Sequence, residues 1–416
     1  MIVGGVLFAL LTDQIIIEFN SRYLPKVIIG EDPFEAIRII FWDPLFDPNF
    51  SNYSRPQILI KAGPLILIAI GLSFGFKAGV WNIGAEGQYI LGAIFGASVA
   101  LAFYPIESRL IFPLMITAGA VGGFLWGMIP ALLKAKLNTN EILVSLMLVY
   151  VAESILASVS QGLLKNPDGY GFPGSRNLQK YESAANLEII NNSGMHWGVV
   201  FAFITVIFSY IVLTKHIQGF NIRLTGEAPR AAKFAGVNPT ANIVFCLGIS
   251  GALAGLAGMF EVSGPSGQIT IGFNSGYGFT AIIVAFLGRL HPIGILLSAL
   301  LIALTYIGGE LAQLMLNLPG ASIQLFQGML LFFLLDSLYN TERTVTEGDL
   351  GMKQIGWLTR ALDNHVEKPA IVICHHNVNQ PEAKSGTAQE GGLRDGAALV
   401  EVLRLRKHVK AFIFGH

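Results

Sequence analysis

The stretch GVWNIGAEGQY, residues 79–89, places three glycines, an asparagine, a glutamate and a glutamine between two apolar runs. Burying a carboxylate or an amide without a partner costs several kcal/mol, so polar residues inside an apolar segment need a structural or functional reason. Asn82, Glu86 and Gln88 are therefore the first candidate functional residues.

The composition around this stretch is that of a membrane protein. Hydrophobic residues make up 53% of the 416-residue chain and charged residues only 13%, outside the usual range of soluble domains. The formal net charge is zero, so the sequence does not indicate a basic surface for nucleic acid or an acidic tail. The two cysteines, Cys246 and Cys374, cannot form a disulfide framework.

Apolar runs of about the length needed to cross ~30 Å of hydrocarbon recur along the chain. They fall at 1–17, 58–76, 88–104, 110–133, 142–160, 197–214, 241–262, 277–288, 293–310 and 321–338. The predicted fold is an all-α polytopic membrane protein with 8–10 transmembrane helices, some of them interrupted, followed by a short α/β fragment at the C-terminus. The run at 1–17 is interpreted as a first, shortened membrane helix because it lacks the basic leader and cleavage site of a signal peptide.

The distribution of basic residues predicts the orientation. The loop with Lys134 and Lys136, and the segment 215–233, hold far more basic than acidic residues, so both are predicted to be cytoplasmic. Counting crossings from them places loops 18–57 and 161–196 outside and both termini in the cytoplasm.

Glycine and a weak repeat predict how the helices pack. Many of the 47 glycines lie in strings such as GISGALAGLAGMFEV (248–262), which allow helix backbones to approach closely. The tetrapeptide at 81–84, Trp-Asn-Ile-Gly, is echoed at 273–276 by Phe-Asn-Ser-Gly, which adds Asn274 to the candidates. An inverted repeat with interrupted helices is one interpretation of the echo, and a chance match is the other.

Four segments resemble one family of membrane proteins. They are FKAGVWNIGAEGQYILGA (76–93), IPALLKAKLNTNEILVSLMLVYVA (129–152), GFNIRLTGEAPRAAKFAGVNP (219–239) and SGALAGLAGMFEV (250–262). In order and spacing they resemble the membrane permease subunits of ATP-binding-cassette (ABC) importers, in the group that takes up nucleosides and simple sugars. The resemblance covers about residues 50–338, and the residues before 50 fit it less well.

The resemblance implies partners and a location. Such a permease works with a separate ABC ATPase subunit that uses ATP and Mg²⁺, with a second permease subunit, identical or different, and with an extracytoplasmic substrate-binding protein. It would be a multi-pass protein of the inner, cytoplasmic membrane, in contact with lipid, and would bind no cofactor or nucleic acid itself. The chain contains no phosphate-binding loop of the form G-x-x-x-x-G-K-[ST], so it is predicted not to be an enzyme.

The resemblance also assigns a coupling segment, TGEAPRAAKFAGVNP (225–239), to a cytoplasmic loop that forms a short helix and seats in a cleft of the ATPase. Gly226 and Pro229 bracket the expected helix start, and Glu227 is expected in its first turn, where the helix dipole favours an acid. Ala231 and Ala232 offer a small-residue face to the ATPase. The alternative is a solvated basic loop that only fixes the topology.

Two interpretations of the polar candidates stay open. Asn82, Glu86, Gln88 and Asn274 line the substrate pathway at a helix break, or they cap an interrupted helix without touching substrate, since Asn and Gly favour turns. Weak contact is expected in either case, because the receptor of such importers supplies the affinity. A secondary transporter of a small polar solute is the alternative function, but paired intramembrane acids would be more typical of one.

The C-terminal segment has a different character. After a permease domain at 1–340, residues 348–416 show an α/β pattern with strands at PAIVICHH (369–376) and VKAFIFGH (409–416). They resemble the last part of a calcineurin-like metallophosphoesterase, in which His375 and His416 would match metal ligands. The other ligand motifs of that family are missing, so the two histidines are vestigial candidates and the fragment is predicted to be an inactive phosphodiesterase remnant.

Overall fold

The computed structural model describes most of the chain between residues 35 and 316. Its described residues are 15–18, 26–29, 35–190, 193–316, 328, 358–360, 362–363, 370–374, 402–403, 406 and 409–414. The chain divides into two compact units, Met1–Phe332 and Phe333–His416.

The described part of the first unit is almost entirely helical. Two short strands come first, β1 (Ile15–Glu18) and β2 (Lys26–Ile29). The helices are α1 (Glu35–Phe41), α2 (Asp43–Phe46), α3 (Ser51–Lys77), α4 (Ala85–Phe103), α5 (Ile111–Leu137), α6 (Glu141–Gln161), α7 (Trp197–Thr214), α8 (Ile217–Glu227), α9 (Pro229–Phe234), α10 (Pro239–Ser263), α11 (Tyr277–Leu287) and α12 (Pro292–Leu316). Single 3₁₀ turns occur at Leu178–Lys180 and Ile271–Phe273.

The eight apolar runs predicted between residues 58 and 310 each coincide with a helix, which confirms the polytopic helical fold. Within the described residues, seven helices are long and apolar enough to cross a membrane: α3, α4, α5, α6, α7, α10 and α12. The eighth, α11, has 11 residues and is too short to cross alone. The predicted run at 321–338 lies outside the described residues, except for residue 328.

The predicted first span is wrong in the part of it that is described. Residues 15–17 belong to β1, which pairs antiparallel with β2, with Ile16 opposite Ile28 and Glu18 opposite Lys26. Three consecutive isoleucines favour this strand, because their branched side chains suit a pleated surface better than a helix. Residues 1–14 lie outside the described residues.

The bundle is organised around α3 and α10. Of the 18 residues in the most apolar part of α3, 89% are buried inside the protein, whereas only 22% are buried in the corresponding part of α6. The glycines of α10 meet other backbones directly: a Cβ on Gly255 would lie 2.8 Å from the Cα of Gly123 in α5, and one on Gly258 would clash with the carbonyl oxygen of Tyr89 in α4. Small residues therefore bring α4, α5 and α10 into backbone contact, as the glycine strings predict.

The second unit is described in fewer places. Its strands β3 (Ala370–Cys374) and β4 (Val409–Phe414) pair in parallel, with Val372 opposite Phe412. Arg406 donates to both carboxylate oxygens of Asp363 at 2.9 and 2.8 Å. The two strands coincide with those predicted at 369–376 and 409–416.

Candidate functional site

The quoted stretch forms the junction between α3 and α4. Helix α3 ends at Lys77, and Gly79 follows with φ of +77°, a left-handed conformation that glycine adopts without strain. The next residues are irregular until α4 begins at Ala85. The ring of Trp81 packs against those of Phe76 and Phe286, with centroids 5.0 and 5.3 Å apart, so the junction is fixed against α11.

Asn82 holds the junction in shape. Its Oδ1 accepts the Gly84 N–H and a Gln88 Nε2 hydrogen, each at 3.1 Å. Its Nδ2 donates to Gln88 Oε1 at 2.8 Å and to Ser250 Oγ of α10 at 2.9 Å. Asn82 and Gln88 are both buried, so the two amides satisfy each other and do not line an open path in this structure.

The second aromatic-Asn-x-Gly sequence makes the same side-chain hydrogen bond. Asn274 Oδ1 accepts the Gly276 N–H at 3.3 Å, as Asn82 accepts that of Gly84. Gly276 directly precedes α11, as Gly84 directly precedes α4. The sequence repeat thus corresponds to the same Asn-to-glycine hydrogen bond at two helix starts, but the glycine backbone differs, with φ of −88° at Gly84 and +73° at Gly276.

Glu86 joins these two helix starts. Its Oε1 accepts the Gly276 N–H at 2.9 Å, and its Oε2 accepts the Gly278 N–H. A Cβ on Gly278 would lie 2.6 Å from the Cα of Glu86, so only glycine fits at that contact. A carboxylate is stabilised at a helix N-terminus, where free N–H groups and the helix dipole point at it. Glu86 is fully buried and therefore caps α11 from its position on α4.

Sequence reasoning missed Glu153. It lies on α6, and its carboxylate accepts a hydrogen bond from Asn274 Nδ2. The signal was visible, since Glu153 interrupts the apolar run 142–160, but nothing in the sequence pairs it with a residue more than a hundred positions away. Of the four predicted pathway residues, Asn274 is half-buried and the other three are buried, so Asn274 and Glu153 are the more accessible pair.

Several residues around this pair are exposed on the protein surface. Ser154 and Ser275 are exposed, Tyr150 is 63% exposed, and Phe279 is 39% exposed. Irregular backbone such as the segment that contains Ser275 does not face lipid in membrane proteins, but it does line water-filled cavities or protein interfaces. The surface formed by α6 and the segment 271–279 is thus a candidate solute-facing surface.

The candidate coupling segment differs in part from the prediction. Glu227 is the last residue of α8, not part of a first turn, because Ala228 leaves helical geometry before Pro229 opens α9. Ala232 is fully buried and cannot form a docking face, whereas Ala231 is exposed. Gly226 packs on the α3–α4 junction: a Cβ there would clash with the Lys77 carbonyl oxygen.

Phe234 is a second residue that sequence reasoning missed. It ends α9 and is 95% exposed, next to the exposed residues Ala231 and Lys233. Its exposure makes Phe234 a candidate member of the predicted docking surface. Of the two alanines that the sequence singled out, only Ala231 shares this exposure.

A cavity of about 460 Å³ lies among the loops at 107–109 and 182–187, Phe112 at the start of α5 and Trp197, on the predicted outer side. The two loops are tied together, since the Tyr181 hydroxyl donates to the Ile106 carbonyl and Ser183 donates to the Glu107 carboxylate. Glu107, Arg109 and Glu182 give its lining both signs of charge.

No metal site stands out among the residues that the structure describes: none of them form a group of three His, Cys, Asp or Glu side chains placed to hold an ion. The vestigial candidates His375 and His416 lie outside the described residues.

Comparison with known proteins gives consistent similarities. Residues 55–335 match the family described as branched-chain amino acid transport system / permease component. The glucose ABC transporter permease protein TsgB13 of Haloferax volcanii is 33% identical over 322 residues, 75% of this chain and 82% of the relative. The guanosine ABC transporter permease protein NupP of Bacillus subtilis is 31% identical, over 68% of this chain and 82% of the relative. The nucleoside ABC transporter permease protein NupB of Lactococcus lactis is also 31% identical, over 68% and 79%.

Proposed function

The chain belongs to the family of branched-chain amino acid transport system permease components, membrane subunits of ABC transporters, and we propose that it translocates a nucleoside or a simple sugar. The observation that carries the proposal is the similarity to a glucose permease and to two nucleoside permeases over two thirds or more of the chain. The family assignment decides against a secondary transporter. A permease of this kind has no catalytic activity of its own and works with an ATPase and a substrate-binding protein.

The finer partners and the location are part of the proposal. The chain is a multi-pass membrane protein, and we place it in the inner membrane with its C-terminus in the cytoplasm. The predicted cytoplasmic N-terminus depended on a span at 1–17, of which residues 15–17 belong to β1. A second permease subunit, identical or different, completes the transport pathway, and ATP and Mg²⁺ are used by the ATPase alone. The basic loops at 134–136 and 215–233 support this orientation.

Coupling to the ATPase is assigned to α8 and α9. Gly226 sets the end of α8 against the α3–α4 junction, and Pro229 starts α9. Glu227, Ala231 and Phe234 are exposed and supply the docking surface, while the buried Ala232 anchors α9 to its own subunit. This arrangement supports transmission of ATPase closure to the helix junction.

Within the pathway the polar candidates take two roles. Asn82, Glu86 and Gln88 hold the helix break through the hydrogen bonds described above, and Asn274 reaches the solute-facing surface. Because the receptor provides affinity, we assign the pathway only weak contacts with the solute. The C-terminal fragment takes no part in transport and has no hydrolytic activity.

Uptake by proteoliposomes that contain this permease, its ATPase and its substrate-binding protein tests the function. We expect ATP-dependent accumulation of labelled guanosine, uridine or glucose, and none when the ATPase carries an inactivating substitution in its phosphate-binding loop. Accumulation of none of the three solutes would contradict the proposed substrate class, and accumulation without ATP hydrolysis would contradict the ABC mechanism.

Labelling with a membrane-impermeant thiol reagent tests the orientation. Tyr170 is 99% exposed in the predicted outer loop, and Lys233 is exposed in the predicted cytoplasmic segment. In a Cys246→Ala, Cys374→Ser background, Tyr170→Cys should react in intact cells and Lys233→Cys only after permeabilisation. Reaction of both in intact cells would overturn the assigned topology.

A further inference from the structure

We propose that Glu153 and Asn274 form a contact site for hydroxyl groups of the transported solute, so that the pathway itself recognises a polyhydroxylated molecule such as a riboside or a sugar. The proposal rests on the proposed function and adds a residue, Glu153, and a chemical class of ligand group to it.

The position of Glu153 along α6 is the first argument. It lies twelve residues beyond Glu141 and eight before Gln161, about 18 and 12 Å from the two helix ends at about 1.5 Å per residue. Glu153 is thus far inside a helix that is long enough to cross the membrane. A partly exposed carboxylate at such a depth faces a water-filled path or a protein surface, because exposure to lipid is too costly.

The second argument is that the neighbouring backbone is irregular. Asn274, which donates to Glu153, lies between the 3₁₀ turn Ile271–Phe273 and the start of α11. Its neighbour Ser275 is exposed, so irregular backbone reaches the same surface as Glu153. Non-helical backbone at membrane depth occurs only where it is covered by protein or lines a cavity. Asn274 therefore faces a water-filled path or a protein surface, as Glu153 does.

The hydrogen-bonding capacity left at the site is the third argument. Asn274 Nδ2 is used by Glu153 Oε1, and Asn274 Oδ1 accepts from Gly276. In the described part of the chain, Glu153 Oε2 receives no hydrogen bond. An ionised carboxylate only accepts hydrogen bonds, and those it receives from neutral O–H groups are charge-assisted, so the site fits a ligand rich in O–H donors.

The carboxylates of Glu86 and Glu153 differ in how many of their oxygens are already hydrogen-bonded. Both carboxylate oxygens of Glu86 accept backbone N–H groups of the α11 start, and its side chain is fully buried. Glu86 is therefore occupied by a structural role, whereas Glu153 is half-buried and keeps an acceptor open. The exposed rings of Tyr150 and Phe279 flank the pair in sequence and offer apolar faces for a nucleobase or the apolar face of a sugar.

The test compares hydroxylated and deoxygenated forms of one solute in the complete transporter. Proteoliposomes with permease, ATPase and binding protein are given guanosine or 2′,3′-dideoxyguanosine, or glucose and 3-deoxyglucose if glucose is what wild type accumulates. The measured quantity is the ratio of the two initial uptake rates. The binding protein is the same throughout, so its own preference cancels when the ratio of a variant is divided by that of wild type.

We expect Glu153→Ala to lower this ratio at least about tenfold, the size of one lost charge-assisted hydrogen bond. Glu153→Gln, which keeps one acceptor, should lower it less. Glu310→Ala, which removes an exposed carboxylate from another spanning helix, should leave it unchanged. Copurification with the ATPase and thermal stability in detergent identify any variant that fails to fold, and Glu153→Gln then carries the test.

Equal loss of both uptake rates in Glu153→Ala and Glu153→Gln would overturn the proposal and leave Glu153 a purely structural residue. An unchanged ratio with normal uptake would also overturn it. In either case wild-type uptake would still stand, so the proposed function survives its failure. No wild-type uptake of any of these solutes would contradict the proposed substrate class instead, and this proposal with it.

Discussion

Gly226, near the end of α8, packs directly on Gly79, the residue at which the chain leaves α3. A Cβ on Gly79 would lie 3.2 Å from the Cα of Gly226, and the two backbones meet without any side chain between them. This contact joins the proposed coupling segment to the junction that contains Asn82 and leads to Glu86. Under the proposed coupling, motion of α8 and α9 would pass through this contact towards the start of α11.

Replacing Gly226 by alanine tests this contact. The new methyl group would meet the Lys77 carbonyl oxygen and would lie 3.0 Å from the Gly79 nitrogen, and backbone atoms cannot move aside cheaply. We expect a loss of about 1–3 kcal/mol in stability and a larger loss of uptake than of ATP hydrolysis. Thermal unfolding in detergent and uptake per ATP hydrolysed are the two measurements.

Gly63→Ala is the matched control, because it adds the same methyl group inside α3. The nearest atom to its Cβ is 3.8 Å away, an ordinary contact. Alanine also favours a helix more than glycine does, so stability should hold or rise by up to about 1 kcal/mol. Equal behaviour of the two variants would show that the Gly226 contact is unimportant.

Substitutions at Ala231 and Ala232 distinguish an effect on docking to the ATPase from an effect on folding. Ala231 is exposed on α9, so Ala231→Glu should leave thermal stability unchanged while it abolishes receptor-stimulated ATP hydrolysis and uptake. Ala232 is fully buried, so Ala232→Glu should destabilise the permease itself, because it buries an unpaired charge. Normal transport by Ala231→Glu would remove α9 from the proposed interface.

The sequence predicted the helices well because their signal is local. The run 58–76 predicts α3 through its length and apolar composition. The predicted run 197–214 matches the bounds of α7 to the residue. The burial of Ala232 was not predictable, since small residues are equally suited to a docking face and to a tight internal contact. The end of α8 at Glu227 follows from Pro229, because the residue before a proline disfavours helical geometry, and Ala228 leaves the helix.

The candidate site was predictable only in its parts. The polar residues of 79–89 and the repeated Asn-x-Gly turn are visible in the sequence. The bonds from Glu86 to the start of α11, and from Asn274 to Glu153, join positions 190 and 121 residues apart. Such pairings depend on how the helices pack, and no local pattern encodes that.

Glu86 should prove more important for stability than for selectivity. In Glu86→Ala the buried Gly278 N–H loses its acceptor, at about 1–3 kcal/mol for an unsatisfied buried group, and the Gly276 N–H keeps only its bond to Asn274 Oδ1. Glu86→Gln keeps one carbonyl acceptor and should lose less. Thermal unfolding measures the effect, with Glu310→Gln as the control. If Glu86→Ala unfolds at the wild-type temperature, the capping role is wrong.

His196 predicts a dependence of stability on pH. Its Nδ1 accepts the Gly198 N–H at 3.1 Å at the start of α7 and lies 3.0 Å from Asn186 Nδ2, which fixes the neutral ring with its proton on Nε2. Burial lowers the pKa of His196 from 6.5 to about 4. Between those values the unfolded chain binds a proton that the folded chain does not. The contribution of neutral His196 to the free energy of unfolding is therefore fully present above about pH 6.5 and is lost as the pH decreases towards 4.

The measurement is the thermal midpoint in detergent between pH 7 and pH 4.5. His196 should account for a loss of up to about 3 kcal/mol over its full titration. His196→Asn keeps a side chain that can cap α7 and removes the titrating group, so its midpoint should fall less over the same range. Parallel curves for the two proteins would assign the pH dependence to other groups.

The C-terminal fragment should be dispensable for transport and inactive as a hydrolase. The carboxylate ligand motifs of a two-metal phosphoesterase are absent from residues 1–416, so the fragment has no bridging ligand for a metal pair. Deletion of everything after Asn340 should leave uptake unchanged, and the full chain should not hydrolyse cyclic nucleotides or a chromogenic phosphodiester with added Mn²⁺. Metal-dependent turnover that disappears in His375→Ala would instead make the protein a bifunctional fusion, and loss of uptake on deletion would give the fragment a part in transport.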